Sequence, residues 1–254
     1  MKKLFVTLII LIIAVLISTV LLFVNSSTGE DPLKGNNTTD ISQSASQNDD
    51  EKSSNSEITS ESEKPKIDKS DWKLILVNPW NEIPDDFNVE LTKLKNRQAV
   101  DRRAYNDLQA MMDDARAQGF SPLICSSYRT TETQQYLYDN DVKEYLAKGY
   151  SQKDAEIEAG KWVAIPGTSE HQTGLALDIV DSNYQILEEE QENRPVQKWL
   201  MENSYKYGFI LRYPKDKSDI TGINYEPWHY RYVGKKAAKQ IYKKGICLEE
   251  YLSQ

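Results

Sequence analysis

The stretch GLALDIVD, residues 174–181, alternates Leu175, Leu177 and Ile179 with Gly174, Ala176 and Asp178, which is the two-residue period of a β-strand with one apolar face. Asp178 breaks the second face. A carboxylate in such a row is costly unless a cation, a metal or a hydrogen-bond network compensates its charge. Gly174 and Ala176 leave room above that face, and His171, seven residues before Asp178 in SEHQTGLALD, can turn its imidazole into the same space. An Asp facing solvent on the open side of a sheet is the bland alternative.

Outward from this strand the pattern is mixed. Apolar positions at Ala104, Leu108, Met111, Met112 and Ala115 predict a helix over 98–118, stopped by Gly119. PLICSS (122–127) reads as a strand. TETQQYLYDNDVKEYLAKG (131–149) reads as a helix capped by Thr130 or Thr131, and SQKDAEIEAGKW (151–162) as another that starts at Ser151. Beyond GLALDIVD, RPVQKWLMENSYKYG looks helical, FILRY and WHYRYVG look like strands, and GKKAAKQIYKKG is the last expected helix. Helices first and strands clustered later predict an α+β domain, with a small antiparallel sheet holding the site and helices covering it on one side.

The rest of the chain is of a different character. Residues 4–24, LFVTLIILIIAVLISTVLLFV, carry no charge and follow Lys2 and Lys3, so they are expected to cross a bilayer as a single anchor with the C-terminal side outside. A cleaved signal is the competing reading, with Ser18-Thr19 or Asn25-Ser26-Ser27 as places to cut; 21 positions without a charge are long for one. Residues 25–70 hold no aromatic residue and read as a disordered extracytoplasmic linker, leaving residues 71–254 as one well-cored domain. The formal net charge of −8 offers no phosphate-binding surface and argues against nucleic acid as a partner. Cys125 and Cys247 could pair outside the cell or serve as buried apolar fillers, and no CxxC exists to build a cysteine zinc site.

The chain contains only two histidines, His171 and His229, and the second lies in YEPWHYRYVG. Glu226 precedes His229 by three positions, which would face opposite sides of a flat strand. Both reach one pocket only if Pro227 marks a bend or the start of the strand. Two imidazoles and one carboxylate are a sufficient protein set for catalytic zinc with a fourth position left for water. Glu226 is then free to act as a base.

Two segments make a family resemblance. S-x-H-x-x-G-x-A-x-D is intact from Ser169 to Asp178 and E-x-W-H from Glu226 to His229, and together they resemble the VanY-like zinc D-alanyl-D-alanine carboxypeptidases, which trim bacterial peptidoglycan stems. SSYRTTETQQ, residues 126–135, looks like the same family's S-x-x-R-[ST]-x-x-x-Q segment. The resemblance runs from about Asp101 to the C-terminus. It implies that His171, Asp178 and His229 bind Zn2+, that Glu226 is the catalytic base, and that Arg129, Gln134, Ser169, Tyr213 and Trp228 bind substrate. For Arg129 the chemistry agrees, since a guanidinium can hold a free terminal carboxylate through two parallel hydrogen bonds.

The expected activity is removal of the C-terminal D-alanine from stem peptides, with L,D-cleavage of tetrapeptide stems as the alternative inside the family. The expected place is the outer side of a cell membrane, held by the N-terminal helix, on a Gram-positive surface. A non-heme iron oxygenase is a rival because it also uses two histidines and a carboxylate, but its His-x-Asp spacing is missing. A wall-binding module without turnover is the second rival, and it gives no reason for an unligated Glu226.

Overall fold

Four strands and two helices build the frame on which the site rests. In the computed structural model, which describes residues 67–254, β3 (Pro122–Ser126), β4 (Ala176–Asp181), β5 (Phe209–Leu211) and β6 (His229–Tyr232) form one antiparallel sheet in the order β3-β4-β6-β5. Helix α1 (Tyr105–Ala117) buries Leu108, Met111, Met112 and Ala115, the i, i+3, i+4, i+7 stripe of an amphipathic helix. That stripe meets Val196, Trp199 and Leu200 of α4 (Pro195–Asn203) and the sheet residues Ile124, Leu177, Ile179, Phe209, Tyr230 and Tyr232 in one core. The small antiparallel sheet of an α+β domain is therefore present.

The opposite face is not bare, which corrects the expectation of helices on one side only. There Ile210 and Val233 pack with α6 (Lys235–Lys244) and α7 (Leu248–Leu252) in a second core, and the polar site occupies the part of the sheet next to them. The register decides what stands on that face. Ser126 pairs with Asp178, and Asp178 with His229, so these three form a row across β3, β4 and β6; the next row runs Ala176, Arg231, Ile210. Strand periodicity thus sets Asp178 and His229 side by side at adjacent positions of two strands.

Several local readings hold. Thr130 caps α2 (Thr131–Ala147) by accepting from the Thr133 amide, and Ser151 caps α3 (Gln152–Gly160) through the Asp154 amide. The helix expected from residue 98 starts instead at Tyr105, because Ala99–Asp101 is β2, paired antiparallel with β1 (Leu91–Lys93). Propensity there yields to a hairpin whose tip holds Arg97 at φ 68°. A last short helix, α5 (Ser218–Thr221), lies before the Glu226 segment.

The chain ahead of this frame is fastened to it. The Arg103 guanidinium lies 3.7 Å over the Trp72 ring, Trp72 stacks on Tyr232, and Arg231 donates to the Ile75 carbonyl at 2.7 Å. Residues 67–70 belong to the stretch expected as linker, yet Ile67 packs against the second core. The expected anchor, and the linker up to residue 66, lie outside the described residues. Among the described residues no helix is long and apolar enough to cross a membrane. Cys125 and Cys247 are both free, so they do not pair; Cys247 is buried as a filler would be, and Cys125 is half-buried.

Candidate active site and metal centre

His171 reaches the sheet from a 3-10 turn, Glu170–Thr173, not from the strand itself. Gly174 ends that turn at φ 73° and lets the chain enter β4 within two residues, with Asp178 pointing back toward His171. The His171 Nδ1 lies 2.8 Å from the Ser127 carbonyl oxygen. A carbonyl only accepts, so Nδ1 carries the proton and Nε2, 3.3 Å from Asp178 Oδ2, is left with its lone pair toward the site.

His229 opens β6 directly opposite Asp178 and presents the other nitrogen. Its Nδ1 lies 3.2 Å from Asp178 Oδ1 and 3.5 Å from Glu226 Oε2. The two imidazoles meet edge to face with centroids 4.9 Å apart. Pro227 does mark the start of the strand: the His229 amide donates to the Glu226 carbonyl at 3.1 Å, a turn that folds Glu226 over the pocket. One ligand atom each from His171, Asp178 and His229 lies within 4.8 Å of the other two, and all three residues are buried. Asp178 Oδ1 is buried without a hydrogen-bond partner among the described residues. A buried carboxylate whose two oxygens each face one imidazole, one of them without a hydrogen bond, fits a divalent cation, and the nitrogen and oxygen donor set fits zinc.

Electrostatics separates the roles. Burial drives the His171 imidazole down to about 4, with the Arg129 charge acting in the same direction against Asp178. For His229 burial also works downward, but the facing carboxylates of Asp178, Glu170 and Glu226 lift it to about 9. Burial pushes the Glu226 carboxyl up to about 8, with Asp178 adding to the rise and His229 opposing it. Glu226 stands beside the trio of His171, Asp178 and His229 and outside it, within reach of a group that exchanges a proton there.

Arg129 is part of the site and not a surface residue. Its Nη2 donates to Asp178 Oδ2 at 3.0 Å and to Ser126 Oγ at 2.7 Å. Gln134 stands behind it, fully buried, accepting from Arg129 Nη1 at 3.3 Å and donating to the Ala164 carbonyl at 2.7 Å. One end of that amide holds Arg129 and the other is fixed to the backbone of Ala164. Tyr213 and Trp228 are buried, the Tyr213 ring 4.7 Å from that of His229, and Ser169 lies just ahead of the turn that carries His171.

Sequence reasoning passed over three participants. Glu170, the unassigned residue between Ser169 and His171, faces the far side of His229, with its Oε2 3.5 Å from Nε2. Arg212 and Arg231 both donate to Glu170 Oε1, at 2.7 and 2.6 Å. All three are buried and charged, and that is their signal: two arginines in strand-like stretches otherwise rich in apolar residues.

Comparison with known proteins agrees with this geometry. Residues 97–235 match the family model described as VanY: D-alanyl-D-alanine carboxypeptidase. A D-alanyl-D-alanine carboxypeptidase of Enterococcus faecalis (strain ATCC 700802 / V583) is 53% identical over 186 residues, which are 73% of this chain and 68% of that protein. Among solved structures, VanYB in complex with D-alanine-D-alanine superposes with a TM-score of 0.68 at 53% identity, over 72% of this chain and 98% of that one. A mutant of the vancomycin-resistance D,D-pentapeptidase VanY in complex with Zn(II) gives 0.66 at 53% identity, over 71% and 99%. The LdcB LD-carboxypeptidase gives 0.59 at 40% identity, over 70% and 84%. The chain belongs to the VanY D-alanyl-D-alanine carboxypeptidase family.

Proposed function

We propose that this protein is a zinc D,D-carboxypeptidase that removes the terminal D-alanine from peptidoglycan stem peptides. The observation that carries the reading is the buried trio of His171, Asp178 and His229 with Glu226 Oε2 3.5 Å from His229 Nδ1. His171 through Nε2, Asp178 and His229 through Nδ1 would hold the ion. When bound, zinc supplies Lewis acidity toward the scissile carbonyl and makes water acidic enough to attack near neutral pH. Glu226 accepts the proton from the attacking water and delivers it to the departing amine. Arg129 binds the free carboxylate of the terminal residue by a charge-assisted pair, with Ser126 and Gln134 keeping its guanidinium in place. Tyr213 and Trp228 close the pocket walls and exclude bulk water, and Ser169 lines the same pocket.

The D,D reading is preferred over L,D-cleavage because the D,D relatives stand at 53% identity against 40% for the LD-carboxypeptidase. For the surroundings we propose, from the sequence alone, that the uncharged stretch 4–24 holds the chain in the cell membrane with the catalytic domain on the wall side. Glu226→Ala tests the assignment of roles. It should keep stoichiometric zinc and lose D-alanine release from a pentapeptide; loss of zinc would make Glu226 a ligand and refute its role as base.

A further inference from the structure

His171 and His229 are oriented by different means, and the difference points to Glu170. His171 gives its second nitrogen to a backbone carbonyl, that of Ser127. His229 has no such carbonyl. Its Nε2 is buried with no hydrogen-bond partner among the described residues, and so is Oε2 of Glu170; the two atoms face each other at 3.5 Å.

The rest of the Glu170 carboxylate is fully engaged. Oε1 accepts from Arg212 Nε and Arg231 Nη1. The remaining nitrogens of both arginines are also used: Arg212 donates to both carboxylate oxygens of Glu249, and Arg231 to the carbonyls of Lys73, Ile75 and Tyr232. Arg212, Arg231, Glu170 and the half-buried Glu249 thus form a neutral group, and its one unspent acceptor is aimed at the back of a metal ligand. A buried ion cluster kept for packing alone gains little over apolar residues of the same size. An acceptor left open toward an imidazole N–H has a further use, because it fixes which nitrogen of that ring keeps its lone pair.

We propose that Glu170 is a positioning residue of the metal centre, which accepts a hydrogen bond from His229 Nε2–H and so commits Nδ1 to the ion. The proposal rests on the zinc reading above. Arg212 and Arg231 hold the carboxylate charged and fixed, and Arg231 ties the segment around Lys73 and Ile75 to the same group.

The test uses the full chain loaded with zinc, Glu170→Gln, and Glu249→Gln, which cuts the same arginine group without touching His229. Zinc affinity is read by competition with a chelator, and ring protonation by histidine 15N NMR, which is simple in a chain with two histidines. Wild type should show Nε2 protonated in His229 and Nδ1 protonated in His171. E170Q should weaken zinc about 10–100-fold and shift the His229 signals alone, while E249Q lowers thermal stability with zinc affinity within about twofold of wild type. Unchanged affinity in folded E170Q, or an equal loss in both variants, overturns the proposal. Should E170Q not fold, His229 bound through Nε2 in the wild type would overturn it by itself. A wild type that binds no zinc overturns the metal reading, and the proposal with it.

Discussion

Gly174→Ala places one methyl group at the point where the fold and the metal site meet. Gly174 sits at φ 73°, a region that costs an L-residue about 1–2 kcal/mol. Its new Cβ would lie 3.1 Å from the Asp101 amide nitrogen, 3.2 Å from Leu91 Cδ2 and 3.3 Å from Val89 Cγ2, so the β1–β2 hairpin must yield by a few tenths of an ångström. Crowding of that size costs about 1 kcal/mol, the low end for overpacking. The stiffer unfolded chain returns about 0.4–1 kcal/mol. The net loss is about 2 kcal/mol, a fall in Tm of roughly 4–8 °C for a domain of this size. Gly119→Ala is the internal control: φ is +86° and nothing lies within 4 Å of its Cβ, so only the backbone strain remains. Thermal unfolding of both variants by circular dichroism separates the two contributions. If G174A is no less stable than G119A, the close approach of the hairpin to the turn is refuted.

Arg129→Ala should lower kcat/KM by a factor equivalent to about 1.5–3 kcal/mol on peptides with a free C-terminus and far less on the same peptides amidated; equal losses on both, measured by D-alanine or alaninamide release, would refute carboxylate recognition. His171→Ala or His229→Ala should each release zinc in an equilibrium dialysis assay, and a double variant that retains one equivalent would refute the trio. Asp141 Oδ2 is buried without a hydrogen-bond partner among the described residues, and burial, with Glu144 adding and Lys148 opposing, raises its carboxyl from 3.8 to about 6. An acid whose folded value is raised contributes a penalty that is absent below its unfolded value, grows as pH rises, and is complete above about 6. Asp141→Asn should therefore stabilise the domain at pH 7 by about 1 kcal/mol after allowance for solvent screening, and the gain should vanish below about pH 4; denaturant unfolding at the two pH values decides it.

The residues of the candidate metal trio were legible because their chemistry is unusual where they stand. Asp178 in an apolar strand and only two histidines in the chain are signals in single residues. The bend at Pro227 could be inferred because Glu226 and His229 cannot share a flat strand face. The supports were not legible. The carbonyl of Ser127 carries no side-chain signature, and Glu170 meets Arg212 and Arg231 across 42 and 61 residues of chain. The β1–β2 hairpin was also hidden, since its strands are three residues each and its tip uses Arg97 at positive φ instead of glycine. On the second sheet face the helix α6 was expected but not where it packs, and α7, with five residues, is too short to show a helical period.

Mass spectrometry of muropeptides after incubation with the protein, with and without zinc chelation, tests the central claim most directly. The account predicts chelator-sensitive loss of one alanine from stems ending in D-Ala-D-Ala and none from tetrapeptides ending in a single D-Ala. Loss from the tetrapeptide alone, or loss of alanine that persists after the metal is removed, would contradict it.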